Sequence, residues 1–478
     1  MGVPYARQRS GGRINIIIVA LSVFALASLC SLRWYRGARP PPRRLSGLIR
    51  GDDTPTDSGE GSPGEVQRRD GLHIVPITRI PAGSISVKEF FDKHGDEVVI
   101  VEGEARSHPA FGLGWQGLKD LCGGSTIETT TYSETAADWA GLEDTKKMKL
   151  ATYIERHVLS GGGGEEELRY ASGGVGIPEL CPPLDHFAKI PSFVSSALIP
   201  VDQVYNNATE GGEAKYLQQG QPEVFIGPAG TKSELHMDSM LIPFWMVVYE
   251  GKKTFRTILY NETRSSQALS FYEDQDRPST TIRSKGPGEE ETRQLEVWNP
   301  DLEAFPDLAD VTVHEGTLVG GDFIYLPPAT LHAVYNHERS WAVSSNSLYP
   351  STFDKFVDVC HETDFGLYCK EFATESAGCD PDVETKEDLR SCLLDSPLVQ
   401  RIQKEYDEGR LRDKTLHEMS GFDSFEPWCL ANCETLRESP IDPSWGYDEI
   451  QEHDEVLEYI CSRCDYKHEQ RGRKPHLL

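Results

Sequence analysis

The chain has 478 residues, 26% of them charged, and a formal net charge of -28 at pH 7. That length exceeds one small core and points to a large domain with extensions, or to two or three domains. A polyanion repels nucleic-acid backbones and basic clusters occur only near the ends, Arg33 to Arg44 and Arg471 to Lys474, which argues against DNA or RNA as a partner.

Residues 1–13 form a short tail. Ile14 to Leu32 is apolar almost throughout, about the length that one membrane-spanning helix needs. It reads as a signal anchor, because the apolar run continues past Ala27. The alternative is a cleaved signal peptide with Ala25-Leu26-Ala27 at the cleavage site. The positive charges are denser after the run than before it, which taken alone would place the remainder in the cytosol. Two glycosylation sequons, Asn207-Ala208-Thr209 and Asn261-Glu262-Thr263, favour the opposite side. So does the cysteine usage: of 11 Cys, Cys30 lies in the apolar run and the other ten suit disulfides. The expectation is a single-pass membrane glycoprotein with the bulk of the chain in the lumen of the endoplasmic reticulum or Golgi. Residues 33–71 are rich in Pro, Gly, Ser, Asp and Arg and read as a disordered stem.

Order is expected from Leu72. Residues 72–77 read as a strand, and Ser86 caps a helix over Val87 to His94. A buried strand is expected at 97–102, a short helix at 115–121 and a strand at 126–132. Pro178 to Pro200 reads as irregular, with a short helix at its end. From Lys215 onward strands become dense: 223–227, 233–238, 244–249 and 254–259. After a polar insertion at 261–309 they resume at 310–315, 322–326, 332–336 and 341–345. Short strands punctuated by Gly and Pro suggest a sandwich or barrel.

His236 and Asp238 lie two apart on one of these strands, so both side chains leave the same face. A nitrogen and an oxygen there can hold a divalent metal, and a third ligand would complete a facial triad with open positions. An isolated His-x-Asp is common by chance, and most such histidines are surface residues. Three accompaniments strengthen this one. His332 follows a Gly-Asp turn, a strand and a Pro pair. Lys253 follows Gly251-Lys252 after the next strand, where a buried ammonium could pair with a cosubstrate carboxylate. Ser233 stands three residues before His236.

The ordered set Tyr216-Leu217-Gln218-Gln219, Phe225 to Thr231, Ser233-x-x-His236-x-Asp238, Glu250-Gly251-Lys252-Lys253, Gly321 to Pro327 and His332 resembles the cupin-like JmjC family, especially its small hydroxylases. The resemblance covers roughly residues 74–349. It implies a mainly β fold with flanking helices, a double-stranded β-helix or jelly roll, over a catalytic region at 72–350. It implies Fe(II) and O2, with 2-oxoglutarate as cosubstrate. By the same resemblance His236, Asp238 and His332 are the iron ligands. Lys253 binds the distal carboxylate of 2-oxoglutarate, assisted by Ser233 where the family usually has Thr. Asn346 lines the cosubstrate pocket and Tyr216 touches the cosubstrate. One departure stands out: the family's Asn between the Asp and the Lys is missing, and Ile242 or Met246 takes its place.

The function implied is an oxygenase that hydroxylates a side chain of a protein substrate. A catalytically silent cupin-like scaffold and a zinc-dependent cupin enzyme are the alternatives. His314, His337 and His361 are assigned structural roles, and Phe244, Trp245 and Tyr249 strand packing. Residues 351–478 read as a helical, Cys-rich extension in which Tyr447, Ile450, Leu457 and Ile460 share one face. Its Cys429-x3-Cys433 and Cys461-x2-Cys464 have zinc-site spacing, but disulfide staples are preferred; their connectivity and the oligomeric state stay open.

Overall fold

The computed structural model describes residues 67–132, 142–160, 168–197, 222–265, 296–362, 370–438 and 447–466, apart from breaks at 70, 196, 239–240, 304, 371–372, 375–377, 381–384 and 410; short paired pieces at 205–206, 215–216, 281–282 and 293–294 are described too. Strands follow in chain order as β1 (Gln67–Arg69), β2 (Leu72–Pro76), β3 (Thr78–Pro81), β4 (Val99–Glu102), β5 (Thr126–Tyr132), β6 (Leu142–Lys149), β7 (Ala171–Gly176), β8 (Tyr205–Asn206), β9 (Lys215–Tyr216), β10 (Glu223–Gly227), β11 (Lys232–His236), β12 (Phe244–Glu250), β13 (Lys252–Ile258), β14 (Thr281–Ile282), β15 (Arg293–Gln294), β16 (Thr312–Val319), β17 (Phe323–Leu326), β18 (Leu331–Asn336) and β19 (Ser340–Asn346). The longer helices are α1 (Val87–His94), α2 (Gly114–Cys122), α3 (Phe353–Glu362), α4 (Lys386–Asp395), α5 (Pro397–Asp407), α6 (Phe425–Glu438) and α7 (Tyr447–Cys461).

Two sheets form the body. The first runs β1-β2-β16-β13-β18-β11, and the second β3-β4-β17-β12-β19-β10-β7. Their strand pairing is mostly antiparallel, and neighbours in space are distant in sequence, as in a jelly roll. β12 shows why the segment Phe244 to Tyr249 lacks a polar alternation. Phe244, Met246 and Val248 point between the sheets, while Trp245, Val247 and Tyr249 point into a second apolar layer with α1 and α2. A strand buried on both faces has no side left for polar residues.

Local signals account for the flanking elements. Ser86 Oγ accepts from the Glu89 backbone N–H and the Glu89 carboxylate accepts from the Ser86 N–H, a reciprocal cap that starts α1 at Val87. Residues of α3, α4 and α5 pack outside the first sheet with Leu72, Leu331 and Ala333, while α6 joins the layer behind the second through Trp428. Helices therefore cover both sheets. The residues Ser62–Ser439 and Gln451–Leu478 make one compact unit; of the other, Met1–Gly61 and Pro440–Ile450, only the first turn of α7 is described.

Disulfides join Cys122 to Cys181, Cys379 to Cys392, Cys429 to Cys464 and Cys433 to Cys461, and Cys360 is also disulfide-bonded. The second and third of the C-terminal bridges tie α6 to α7. Of the predicted shared face on α7, Ile460 is buried with Trp428.

The membrane placement needs correction. Among the described residues no helix is long and apolar enough to cross a membrane. The longest, α7, has 15 residues and six acidic ones among its first twelve, whereas a span needs about 20 apolar residues. The single-pass, lumenal assignment is therefore withdrawn; the 14–32 run, the 1–13 tail and the stem up to 66 lie outside the described residues. Asn207 of the first sequon lies outside them too, while Asn261 of the second is exposed on a short helix, Tyr260–Ser265. In the stretch read as irregular, short helical turns occur at its start, Ile177–Leu180 and Pro182–His186, while 198–200, where one was expected, lies outside the described residues. β6 escaped the sequence because its Glu143 to Lys147 stretch is polar and largely exposed.

Candidate metal centre

β11 and β18 are neighbours in the first sheet, and their register sets His236 directly opposite His332. On the next rung Thr257 of β13 faces His332. Between Ser233 and His236 the ladder advances three residues on β11 against two on β18, a bulge. Ser233 and His236 would otherwise leave opposite faces of a regular strand. The bulge turns both toward the same cavity.

Asp238 follows β11 directly. Its Oδ1 lies 4.0 Å from His236 Nε2 and 3.9 Å from His332 Nε2. The three ligand atoms lie within 4.8 Å of one another. Two metal–ligand bonds of about 2.1 Å each reach across about 4.2 Å at most, so the two His–Asp separations fall within bridging distance of one ion. The imidazoles are oriented from behind. His236 Nδ1 lies 2.6 Å from the Glu234 carbonyl oxygen and His332 Nδ1 lies 3.3 Å from that of Thr330. A carbonyl only accepts, so each Nδ1 carries the proton and each Nε2 keeps its lone pair for a ligand. Burial, with His332 alongside, pushes the His236 pKa down to about 3, which keeps that ring neutral. Asn346 Nδ2 donates to Asp238 Oδ2 at 2.7 Å and fixes the carboxylate.

The loops around the triad are held by backbone. Leu241 and Ala329 both take left-handed conformations, φ +57° and +55°. Such residues cost about 1–3 kcal/mol each unless their surroundings hold them. Here Leu241 donates its N–H to the Asp238 carbonyl at 3.2 Å, and Ala329 donates its N–H to the Leu241 carbonyl at 3.1 Å. The loop after Asp238 is thereby clasped to the loop before His332.

Lys253 is fully buried on β13, opposite Asn336 of β18. Its Nζ donates to the Tyr170 hydroxyl at 3.4 Å, and burial lowers its pKa from 10.5 to about 7. Gly251 makes the turn into this strand with φ +91°, and a Cβ there would stand 2.2 Å from the Arg339 carbonyl oxygen. The cavity has a volume of about 250 Å³; Tyr170, Ser233 and Asn346 line it with the three ligand candidates, and Phe244, Met246 and Val334 supply apolar wall.

Residues 99–355 match the sequence profile of the cupin-like domain. The chain belongs to this cupin-like family. Over 280 residues it is 27% identical to lysine-specific demethylase 8 of Danio rerio, an alignment that covers 56% of this chain and 57% of that protein. The chain thus spans somewhat over half the length of the curated relative it matches. JmjC-type members of this family are Fe(II)- and 2-oxoglutarate-dependent oxygenases that use O2.

The donor set of this cupin-like domain fits a divalent iron: two neutral imidazoles and one carboxylate on one side of a cavity, the rest open. Other sequence expectations divide. Ser233 and Asn346 line the cavity with the triad. Of Tyr216 only the backbone is described, pairing with Tyr205. A tyrosine does stand at Lys253, but it is Tyr170, just before β7. Nothing local in Leu168-Arg169-Tyr170 marks it, since it reaches the site through the pairing of β7 with β10. Of the two candidates for the missing Asn, Met246 lines the cavity and Ile242 packs outside the first sheet. Phe244 stacks on His332 with ring centroids 5.0 Å apart, while Trp245 and Tyr249 face the helical layer. His337 Nε2 lies 2.7 Å from Thr254 Oγ1, and His314 lies on β16 opposite Thr257. His361 belongs to α3, and its side chain is not among the described ones.

Proposed function

We propose that this cupin-like protein is an Fe(II)- and 2-oxoglutarate-dependent oxygenase that hydroxylates a side chain of a protein substrate. The observation that carries the reading is the convergence of His236 Nε2 and His332 Nε2 on Asp238 Oδ1, with both Nδ1 atoms occupied by backbone carbonyls. His236, Asp238 and His332 would hold the iron. Lys253, Tyr170 and Ser233 would take the distal carboxylate of 2-oxoglutarate, and Asn346 would steady Asp238 at its edge.

When bound, iron with 2-oxoglutarate and O2 supplies the oxidising chemistry, in which the oxo acid becomes succinate and CO2 and one oxygen atom enters the substrate. The chain supplies position and a dry wall. Burial disfavours the Lys253 ammonium and a dicarboxylate beside it would favour it, so binding draws a proton onto Nζ. Phe244, Met246 and Val334 exclude water around the histidines. The protein-substrate class rests on the family resemblance and on the net charge of -28, which disfavours nucleic acid.

The test is succinate release from 2-oxoglutarate by the purified chain with Fe(II), ascorbate and candidate peptides. Turnover lost in His236→Ala supports the oxygenase. Formaldehyde release from methylated peptides would replace hydroxylation with demethylation, the reaction named for the Danio rerio relative. A second reading, a silent cupin-like scaffold, draws on Met246 standing where the family places a polar contact to cosubstrate. No succinate with any substrate, and no binding of 2-oxoglutarate, would favour it.

A further inference from the structure

We propose that Cys429, Cys433, Cys461 and Cys464 form a redox-gated zinc site. As four thiols they take one Zn2+, and as two disulfides they cannot.

The argument starts from the two helices. Cys429 and Cys433 lie one turn apart on α6 and leave the same face. Cys461 ends α7 and Cys464 stands one turn beyond it. The spacings, C-x3-C and C-x2-C, both fall in the range of structural zinc sites. Pairing is nested: Cys429, the outer cysteine of α6, bonds Cys464, and Cys433, the inner one, bonds Cys461. The two bridges lie side by side and bring their sulfurs into one cluster. Cys433 Sγ lies 3.7 Å from Cys464 Sγ, to which it is not bonded, and the sulfurs of Cys429, Cys433 and Cys464 all lie within 4.8 Å of one another.

Four thiolates around zinc at about 2.3 Å sit about 3.8 Å apart. The non-bonded pair already has that separation. The bonded pairs need only part, with the Cα atoms staying where the helices hold them. Cys429, Cys433 and Cys464 are buried beside Trp428 and Ile460, and Cys461 is half-buried against the same layer, so a bound ion would be largely shielded from water. Among the described residues the other bridges, Cys122–Cys181 and Cys379–Cys392, have no third sulfur to make such a group.

The balance is simple. Two dithiol reductants each give two electrons and two protons, are oxidised to disulfides, and leave four thiols on the chain. Zn2+ then binds four sulfurs and displaces four protons. The site therefore competes with oxidation, and its state follows the thiol poise of its surroundings.

The experiment uses the full chain carrying His236→Ala and Asp238→Ala, which removes the other divalent site. The chain is reduced with a phosphine, desalted anaerobically and titrated with Co2+. One equivalent should bind with the thiolate charge-transfer absorption of a tetrahedral tetrathiolate, and Zn2+ should displace it. The oxidised chain should show neither. Cys379→Ser should leave the signal intact and Cys433→Ser should weaken binding at least tenfold. Cys433→His guards against misfolding: it retains three sulfurs and one nitrogen and should bind Co2+ with a shifted spectrum. Absence of thiolate absorption in the reduced chain, or its persistence in the double variant Cys429→Ser with Cys433→Ser, overturns the proposal.

Discussion

Asn346 Nδ2 donates to Asp238 Oδ2 at 2.7 Å, which leaves Oδ1 as the oxygen that faces both histidine Nε2 atoms. The amide comes from β19, and it sets which oxygen is presented. Asn346→Ala should therefore weaken Fe(II) binding about 10- to 100-fold, the usual cost of removing a group that orients a ligand. Asn346→Asp should weaken it further, because two carboxylates would face each other. Metal titration, with circular dichroism to verify folding, checks both; an unchanged affinity in Asn346→Ala would show that the amide does not steer the carboxylate.

Lys253 ties stability to pH. Its pKa is about 7 in the folded chain against an ordinary 10.5, because burial disfavours the ammonium. Between those values the unfolded chain binds more protons, so stability rises with pH. Below 7 the folded chain carries the whole penalty. Lys253→Met should thus stabilise the free protein most below pH 7, with the gain fading as pH approaches 10.5. The same variant should lose 2-oxoglutarate binding. In the native chain that affinity should fall by up to tenfold per pH unit above 7, since the free ammonium is then scarce. Urea titrations of both chains at pH 6, 8.5 and 10 read the first effect; a gain of equal size at every pH contradicts it.

Tyr170 separates binding from chemistry. Removing its hydroxyl costs one hydrogen bond to the Lys253 head group, about 1 kcal/mol. Tyr170→Phe should raise KM for 2-oxoglutarate about fivefold with kcat nearly unchanged, by the same arithmetic. A drop in kcat at constant KM would place the tyrosine elsewhere in the reaction.

The bridge from Cys122 to Cys181 spans 59 residues and ties the end of α2 to the turn at Pro182. The chain-entropy estimate for a loop of that size is about 4 kcal/mol. Replacing both cysteines by Ala should lower stability by an amount of that order in guanidinium titrations and expose residues 142–160 to protease sooner. A midpoint within error of the parent's would mean that packing alone holds α2.

The legible parts of this molecule were those written locally. Ser86 and Glu89 encode their helix start within four residues, and His236 with Asp238 encode a shared face within three. The bulge at Ser233 to His236 left no Gly or Pro to mark it, so why both line one cavity emerged only from the ladder with β18. Tyr170 meets Lys253 across 83 residues, and no pattern in either neighbourhood announces the other. The cysteine spacings suited zinc as well as the disulfides that were preferred; which sulfur meets which is a property of how α6 and α7 approach. The apolar run at 14–32 shows the converse limit: composition suggested a compartment that the described helices do not support.

The opposition of His236 and His332 carries a consequence for how the barrel assembles. A slip of one residue between β11 and β18 would send one imidazole to the far side of the sheet. Only the correct alignment can chelate an ion, so an ion at a hundred times its dissociation constant would favour that alignment by about 2.7 kcal/mol over every misaligned competitor. The metal would then act as a proofreader of strand pairing before any substrate arrives.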